Sequence, residues 1–240
     1  MQQRRIALVT GANRGIGRAT AYQLAVRHDM HILLGVRNIA QGNSVAREIT
    51  AAGGSATVHQ LDITNPQQIK QLARELTERF GRLDVLVNNA AILLETDENA
   101  TPGTVRMEAV RSTFETNFFG AWALTQAVLP LMRQHHYGRV VNMSSGIAAF
   151  QENDAPGEMA PAYRISKAAL NALTVSLAAE MRGMNILVNA ACPGYVRTET
   201  HNLDAERTTD EGTDTPVWLA TLPENGPTGG IFRDRQRIPW

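Results

Sequence analysis

Short continuous apolar runs alternate with longer amphipathic tracts over the whole chain. The runs include RIALVT at residues 5–10, HILLGV at 31–36 and LDVLVNNA at 83–90. Strands with few polar positions are buried on both faces, which is typical of a parallel sheet covered by helices on both sides. The alternation therefore predicts a single α/β domain over residues 1–240, a Rossmann-type, doubly wound parallel sheet of about seven strands.

The helical tracts differ in how clearly the sequence marks them. The clearest lies at 65–81, where Pro66 stands in the first turn, an apolar stripe follows at helical spacing and Gly81 ends the tract. Two longer helices are expected at about 108–135 and 161–182. Three segments without regular patterning are predicted to be loops that shape a substrate pocket: 91–106, 146–162 and 195–212.

Charge and composition argue against several classes of protein. The chain has 23 basic and 23 acidic residues, so no basic surface for nucleic acid is indicated. There is no stretch of about twenty apolar residues that would span a membrane. The one cysteine, Cys192, cannot form an internal disulfide, as is typical of a reducing compartment. We therefore expect a cytoplasmic protein without a metal site and with neither nucleic acid nor a membrane as a partner.

The segment TGANRGIG at residues 10–17 joins the first predicted strand to the first predicted helix. Its glycines, Gly11, Gly15 and Gly17, follow a G-x-x-x-G-x-G spacing. Glycines permit a tight turn and a close approach of the backbone to a pyrophosphate, and a helix N-terminus adds free N–H groups. The turn therefore favours a dinucleotide site, although a glycine-rich loop without a ligand has the same pattern.

The end of the second predicted strand carries no acidic residue. In dinucleotide-binding units an acidic side chain about twenty residues after the glycine turn accepts hydrogen bonds from the ribose of NAD. Here Val36 closes the strand, Arg37 follows, and Arg14 lies in the glycine turn. Two guanidinium groups suit the 2′-phosphate of NADP. The alternative for both is an ordinary place on the surface, since all basic residues except two are arginine.

Tyr163 and Lys167 stand four residues apart in the second long helical tract, so they share a helix face. A free phenol has a pKa of about 10 and is a weak acid at neutral pH. A neighbouring ammonium favours the phenolate, so we expect Lys167 to lower the pKa of Tyr163. Tyr163 would then protonate a carbonyl oxygen as hydride reaches the carbon, and would act as the base in the reverse reaction. Taken alone, Tyr163 could equally be an interface residue.

Six motifs, in this order, resemble those of the classical short-chain dehydrogenases/reductases. They are the glycine turn, NNAA at 88–91, NFFGAW at 117–122, VVNMSS at 140–145, YRISK at 163–167 and PGYVRT at 193–198. Together they cover essentially the whole chain. The segment GPTGGIFRDRQRIPW at the end of the sequence resembles the carbonyl-reductase branch of that family.

The resemblance implies a catalytic tetrad of Asn117, Ser145, Tyr163 and Lys167. Ser145, the second serine of its pair, would donate a hydrogen bond to the substrate oxygen, and Asn117 would hold a water that relays protons to Lys167. Taken singly, the serines could cap a helix and Asn117 could break one. The residues assigned to cofactor binding are Gly11, Asn13, Arg14, Gly15, Ile16, Gly17, Arg37, Asp62, Asn89, Ala90, Tyr163, Lys167, Pro193, Gly194, Val196 and Thr198.

The resemblance also bears on association and on the pocket. Family members usually associate through their two long helices, whereas some carbonyl reductases with a much longer insertion before the tyrosine are monomers. The insertion is short here, which leaves the usual association open and favours a homo-oligomer, either a dimer or a tetramer. The stretch between Ser145 and Tyr163 is longer than in many members. Its extra residues, within 150–162, would lie beside the mouth of the site, or they form a tolerated surface insertion.

These expectations lead to one function and two alternatives. The function is NADPH-dependent reduction of a small-molecule ketone or aldehyde to an alcohol. One alternative is a non-catalytic NADP-binding sensor or scaffold protein of the same fold. The other is the epimerase or dehydratase branch of the superfamily, which the glycine spacing and the short segment after PGYVRT disfavour.

Overall fold

The computed structural model describes residues 4–95, 100–149, 160–198 and 204–239. Within these ranges the strands are β1 (Ile6–Thr10), β2 (His31–Val36), β3 (Ser55–Gln60), β4 (Val85–Asn88), β5 (Gly138–Met143), β6 (Ile186–Ala191), β7 (Ile231–Arg233) and β8 (Gln236–Arg237). The helices are α1 (Gly15–Arg27), α2 (Ile39–Ala51), α3 (Pro66–Arg79), α4 (Met107–Phe114), α5 (Ala121–Gln134), α6 (Pro161–Glu180) and α7 (Thr209–Ala220). A search of the same ranges finds no helix with the length and apolarity needed to cross a membrane.

Eight strands form one sheet in the order β3-β2-β1-β4-β5-β6-β7-β8. The strands β1 to β7 pair in parallel, and β8 pairs antiparallel with β7. The direction of winding reverses between β1 and β4, and doubly wound sheets bind ligands at the carboxyl ends of their strands at such a point. The predicted fold class is confirmed. The count of about seven strands missed β8, because two exposed polar residues carry no apolar pattern.

Separate apolar cores on the two faces of the sheet explain the continuous apolar strands. Leu8 of β1 and Leu33 of β2 belong to the core that contains residues of α3, α5 and α6. Their neighbours Val9 and Leu34 belong to the core that contains residues of α1, α2 and α7. Because successive side chains of a strand point to opposite faces, both faces require apolar residues.

The predicted helix at 108–135 is continuous but not uniform. The segment Glu115–Gly120, which joins α4 to α5, is π-helical and contains Asn117. A Cβ atom on Gly120 would lie 2.7 Å from the main-chain oxygen of Ile63, so the missing side chain allows this tract to approach the loop after β3. π-Helical turns inside α-helices are frequent at functional sites.

Helix α7 occupies a part of the chain that the sequence did not mark as helical. It begins within the segment 195–212, which was expected to be a loop, and its sequence TDEGTDTPVWLA contains Gly212 and Pro216. Both residue types are unfavourable inside a helix. Thr213 accepts a 2.6 Å hydrogen bond from the side chain of Gln23 on α1. Packing against α1 and the capping box formed by Thr208 and Glu211 together offset these two unfavourable residues.

Candidate active site

A cleft of about 620 Å³ opens at the carboxyl ends of the central strands. Its lining includes most of the residues assigned from the sequence: Gly11, Asn13, Arg14, Gly15, Ile16, Gly17, Arg37, Asp62, Asn89, Ala90, Tyr163, Lys167, Pro193 and Thr198. Four assigned residues are not part of the lining: Asn117, Ser145, Gly194 and Val196. The glycine turn, the end of β2 and the tyrosine of α6 thus face one common space.

The glycine turn needs its glycines for two different reasons. Gly11 and Gly15 have positive φ angles of 63° and 52°, a backbone conformation that side chains disfavour. Gly17, in the first turn of α1, has ordinary helical backbone angles, but there is no space for a side chain. A Cβ atom there would lie 2.4 Å from Nδ2 of Asn89 and 2.5 Å from the main-chain oxygen of Gly11. The turn is therefore folded tightly against the end of β4.

Thr10 ties this turn to the NNAA segment. Its hydroxyl accepts hydrogen bonds from the backbone N–H groups of Asn89 and Ala90, each at 2.9 Å. The Asn89 side chain in turn donates to the main-chain oxygen of Thr10 at 2.8 Å. Thr10 also lines the cleft and was not among the residues predicted to bind the cofactor. Its position directly before Gly11 is the only signal that could have found it.

The two arginines expected to determine the cofactor preference both lie at the cleft. Arg14 precedes α1 and Arg37 follows β2, and both side chains are exposed at the cleft. Neither makes an ion pair with another residue of the described ranges. Asp62, also at the cleft, accepts hydrogen bonds from the backbone and the hydroxyl of Thr64 at 3.0 and 2.8 Å. The cleft therefore offers two unpaired cations beside β2.

Lys167 is buried beneath Tyr163. Its side chain is 2% exposed, and Nζ donates a 2.7 Å hydrogen bond to the main-chain oxygen of Met143, the last residue of β5. The Nζ atom lies 5.4 Å from the centroid of the Tyr163 ring. The two side chains are thus neighbours, as their spacing on a helix predicted.

The pKa values of this pair differ from the expectation. Burial raises the pKa of Tyr163 to about 12, with a smaller contribution from the Cys192 thiol. Burial lowers the pKa of Lys167 to about 8. The expectation that Lys167 lowers the pKa of Tyr163 is therefore wrong for the protein without ligands. The physical reason is that loss of solvent around the phenol is the largest effect, and it disfavours the phenolate.

The Asn117 side chain is held by three hydrogen bonds. Its Oδ1 accepts from the backbone N–H of Ile92 at 2.8 Å, and its Nδ2 donates to the main-chain oxygen of Ile92 at 2.9 Å. Nδ2 also donates to the hydroxyl of Ser166 at 3.1 Å. The side chain thus links the π-helical segment to the segment after β4 and to α6. Ser166, between Tyr163 and Lys167, was not selected from the sequence.

The two serines after β5 are in different environments. Ser144 is buried, and its hydroxyl donates a 2.6 Å hydrogen bond to Oδ1 of Asn171 on α6. Ser145 precedes the 3₁₀ turn Gly146–Ala148, but its side chain does not cap that turn. The hydroxyl of Ser144 is therefore engaged within the fold. Ser145 does not cap a helix, which was the alternative to a catalytic role.

The PGYVRT segment contributes to the cleft only in part. Pro193 and Thr198 line it, whereas Val196 is buried and a Cβ atom on Gly212 of α7 would contact its side chain. Gly194 has a φ of 79° and lies under the side chain of Arg207. Within the described residues no group of three or more His, Cys, Asp or Glu side chains could hold a metal ion. The stretch 150–159, expected beside the mouth, lies outside the described residues.

Comparison with known sequences agrees with the motif pattern. A family model described as short chain dehydrogenase matches residues 5–209. A Mus musculus protein named carbonyl reductase (NADPH) 1 is 35% identical over 279 aligned positions, which cover 99% of each chain. Carbonyl reductase (NADPH) 3 of Homo sapiens is 34% identical over 98% of each chain. Because the alignment to the mouse protein is longer than the 240 residues of this chain, that protein has segments without a counterpart here.

Solved structures share the fold over nearly the full length. Salutaridine reductase from Papaver somniferum has a TM-score of 0.82 at 26% identity, covering 96% of this chain and all of that one. A metagenomic short-chain oxidoreductase in complex with NADP has a TM-score of 0.78 at 30% identity, covering 93% of each chain. The family model and the full-length relatives agree, and the chain belongs to the short-chain dehydrogenases.

Proposed function

We propose that this protein is an NADPH-dependent oxidoreductase that reduces a ketone or an aldehyde to an alcohol. The observation that carries the proposal is the common cleft. Tyr163, Lys167, the glycine turn and Arg37 all line it. A proton donor and a dinucleotide cradle are thus within reach of one bound molecule, which is the arrangement that hydride transfer to a carbonyl requires.

The choice of NADP rests on charge at the end of β2. A carboxylate there would repel a 2′-phosphate, and the chain has Val36 and Arg37 instead. Arg14 adds a second guanidinium to the same cleft, next to Asn13, whose side chain donates a 2.8 Å hydrogen bond to Gln41 of α2. The relatives named above carry NADPH in their names, and one neighbouring structure was solved with NADP. When bound, NADPH supplies the hydride.

The protonation states suit the reductive direction. A phenol with a pKa of about 12 is fully protonated at neutral pH, so Tyr163 holds the proton that a carbonyl oxygen must receive. Lys167, with a pKa of about 8, is mostly cationic at neutral pH and stabilises the phenolate that forms when Tyr163 gives up its proton. Ser145 donates a hydrogen bond to the substrate oxygen. Asn117 holds the segment after β4 against α6 through the hydrogen bonds of its side chain.

The test is a panel of ketones and aldehydes with the purified protein, followed by the loss of NADPH absorbance. Turnover of at least one class of carbonyl is the expected result. A protein that binds NADPH tightly but oxidises it with no member of the panel would be the non-catalytic sensor or scaffold. A Tyr163→Phe variant in the same assay separates enzymatic turnover from a contaminating reductase.

We also propose a homo-oligomer in which a second copy covers the groove between α5 and α6. Trp122, Leu129, Leu173 and Leu177 line this groove, which has a volume of about 380 Å³. Trp122 is 37% exposed and the neighbouring Phe119 49%, while Gln126, Ser176 and the ion pair of Arg133 with Glu180 make the rest of the groove polar. A cytoplasmic location stays a prediction from the single cysteine.

A further inference from the structure

The helix that carries Tyr163 and Lys167 begins without a cap of its own. The residue before its first turn is Ala160, which has a φ of 69° and makes no side-chain cap. Pro161 has no N–H group, and Arg164 already donates its N–H to the main-chain oxygen of Ala160 at 2.9 Å. The backbone N–H groups of Ala162 and Tyr163 are therefore the two in this turn that need an outside acceptor.

Both N–H groups find one carboxylate from a distant part of the chain. Oε1 of Glu95 accepts from Ala162 at 2.5 Å, and Oε2 accepts from Tyr163 at 3.2 Å. Glu95 is 8% exposed and Ala162 is 2% exposed, so water cannot replace this contact without a structural change. A buried carboxylate that uses both oxygens on a helix N-terminus is a strong, directional contact, because charge and hydrogen bonds act together.

Glu95 belongs to the segment that forms the wall of the cleft. This segment leaves β4 through the NNAA motif, and Ala91, Ile92 and Leu93 line the cleft. Ile92 is fixed at one point by the side chain of Asn117. Glu95, three residues later, is fixed at a second point by α6. The cleft wall and the start of the catalytic helix are therefore one connected unit.

We propose that Glu95 is a positioning residue that fixes the first turn of α6, and with it the Tyr163 hydroxyl, relative to the cleft. The proposal rests on the function proposed above, and it adds a residue that neither the motifs nor the family resemblance selected. A Tyr163 hydroxyl that is misplaced by about 1 Å would lose much of its ability to donate a proton to the substrate.

The variants Glu95→Ala and Glu95→Gln test the proposal, with Asn65→Ala as the matched control. Asn65 caps α3 in the same way, because its Oδ1 accepts from two backbone N–H groups at 3.0 and 3.3 Å. We expect kcat of Glu95→Ala to fall roughly tenfold to a hundredfold while KM for NADPH stays unchanged. Glu95→Gln keeps one acceptor and should lie between Glu95→Ala and the wild type. Asn65→Ala should lose thermal stability without losing kcat.

Two further measurements do not depend on turnover. Amide hydrogen exchange at Ala162 and Tyr163 should accelerate in Glu95→Ala. The Tyr163 phenol, measured as the difference between each protein and its Tyr163→Phe counterpart in an alkaline titration, should ionise at a different pH in Glu95→Ala than in the wild type, because its burial and its distance from Lys167 depend on the first turn of α6. If the wild type reduces no carbonyl, the proposed function fails, while exchange and titration still decide the role of Glu95. The role of Glu95 would be overturned if Glu95→Ala and Glu95→Gln kept the kcat, the amide exchange and the Tyr163 titration of the wild type. It would also be overturned if Asn65→Ala lost as much kcat as Glu95→Ala.

Discussion

Lys167 donates its hydrogen bond to the main-chain oxygen of Met143 at 2.7 Å, and both residues are buried. This bond connects α6 directly to the last residue of β5, the strand that leads to Ser145. It also holds the ammonium below the ring of Tyr163, 5.4 Å from the ring centroid. The candidate proton donor and its cation are therefore tied to the strand that leads to the candidate serine.

Replacing Tyr163 by phenylalanine removes only the hydroxyl. We expect kcat for carbonyl reduction to fall by about 10²- to 10⁴-fold, the usual contribution of a general acid. NADPH binding, measured by fluorescence titration, should persist. Tyr22→Phe is the control, because Tyr22 lies on α1 and does not line the cleft. Undiminished turnover in Tyr163→Phe would rule out this tyrosine as the acid.

The rate of reduction should fall as the pH rises through about 8. Burial lowers the pKa of Lys167 to about 8, so its positive charge is present below that pH and lost above it. Tyr163, with a pKa of about 12, stays protonated over the same range, so the loss comes from the cation. Oxidation of an alcohol should instead increase towards alkaline pH, because it needs the phenolate. Initial rates in both directions against pH provide the check.

Arg37 should set the preference for the phosphorylated cofactor. A charged hydrogen bond contributes about 1.5–3 kcal/mol, which corresponds to a preference of roughly tenfold to a hundredfold. We expect kcat/KM for NADPH to exceed that for NADH at least tenfold in the wild type, and Arg37→Asp to narrow or reverse the ratio. Arg47 is an exposed arginine of α2 that does not line the cleft, so Arg47→Asp should leave the ratio of the two kcat/KM values unchanged. Equal efficiency of the two cofactors in the wild type would contradict the assignment.

A charge in the groove between α5 and α6 should dissociate the oligomer. Trp122→Glu places a carboxylate on an apolar surface that a second copy is proposed to cover. Light scattering after size exclusion should give a larger mass for the wild type than for this variant. Met184→Glu changes an exposed apolar residue outside the groove and serves as the control. A wild-type monomer at high concentration would refute the proposed association.

Two histidines should make the fold sensitive to acid. His31 and His59 are joined through the hydroxyl of Thr57 at 3.2 and 3.0 Å, and burial lowers the pKa of both from 6.5. Above the histidine pKa of the unfolded chain both side chains are neutral, and their contribution to stability is fully present. It is lost as the pH falls through the lower histidine pKa values of the folded protein. Urea unfolding should therefore show a free energy that falls in mild acid. His59→Gln should weaken this dependence, whereas exposed His136→Gln should not.

Local rules explain why so much of the site could be predicted. The continuous apolar runs located β1, β2 and β4, since burial on both faces of a sheet leaves this pattern in any such strand. Gly11 and Gly15 were identifiable because a tight turn with positive φ angles favours glycine. The absence of an acid at Val36 and the spacing of Tyr163 and Lys167 are likewise properties of short stretches.

The remaining features depend on residues that are distant in the chain. Helix α7 forms where α1 offers Gln23 as a partner, against its local preference. The pKa of Tyr163 is raised because the fold buries the phenol, although the ammonium of Lys167 lies 5.4 Å from the ring centroid. Glu95 meets the amides of Ala162 and Tyr163 across more than sixty residues of chain. The sequence by itself thus determined the fold class and many of the residues of the cleft, whereas their protonation and support were decided by burial and contacts that only the tertiary structure creates.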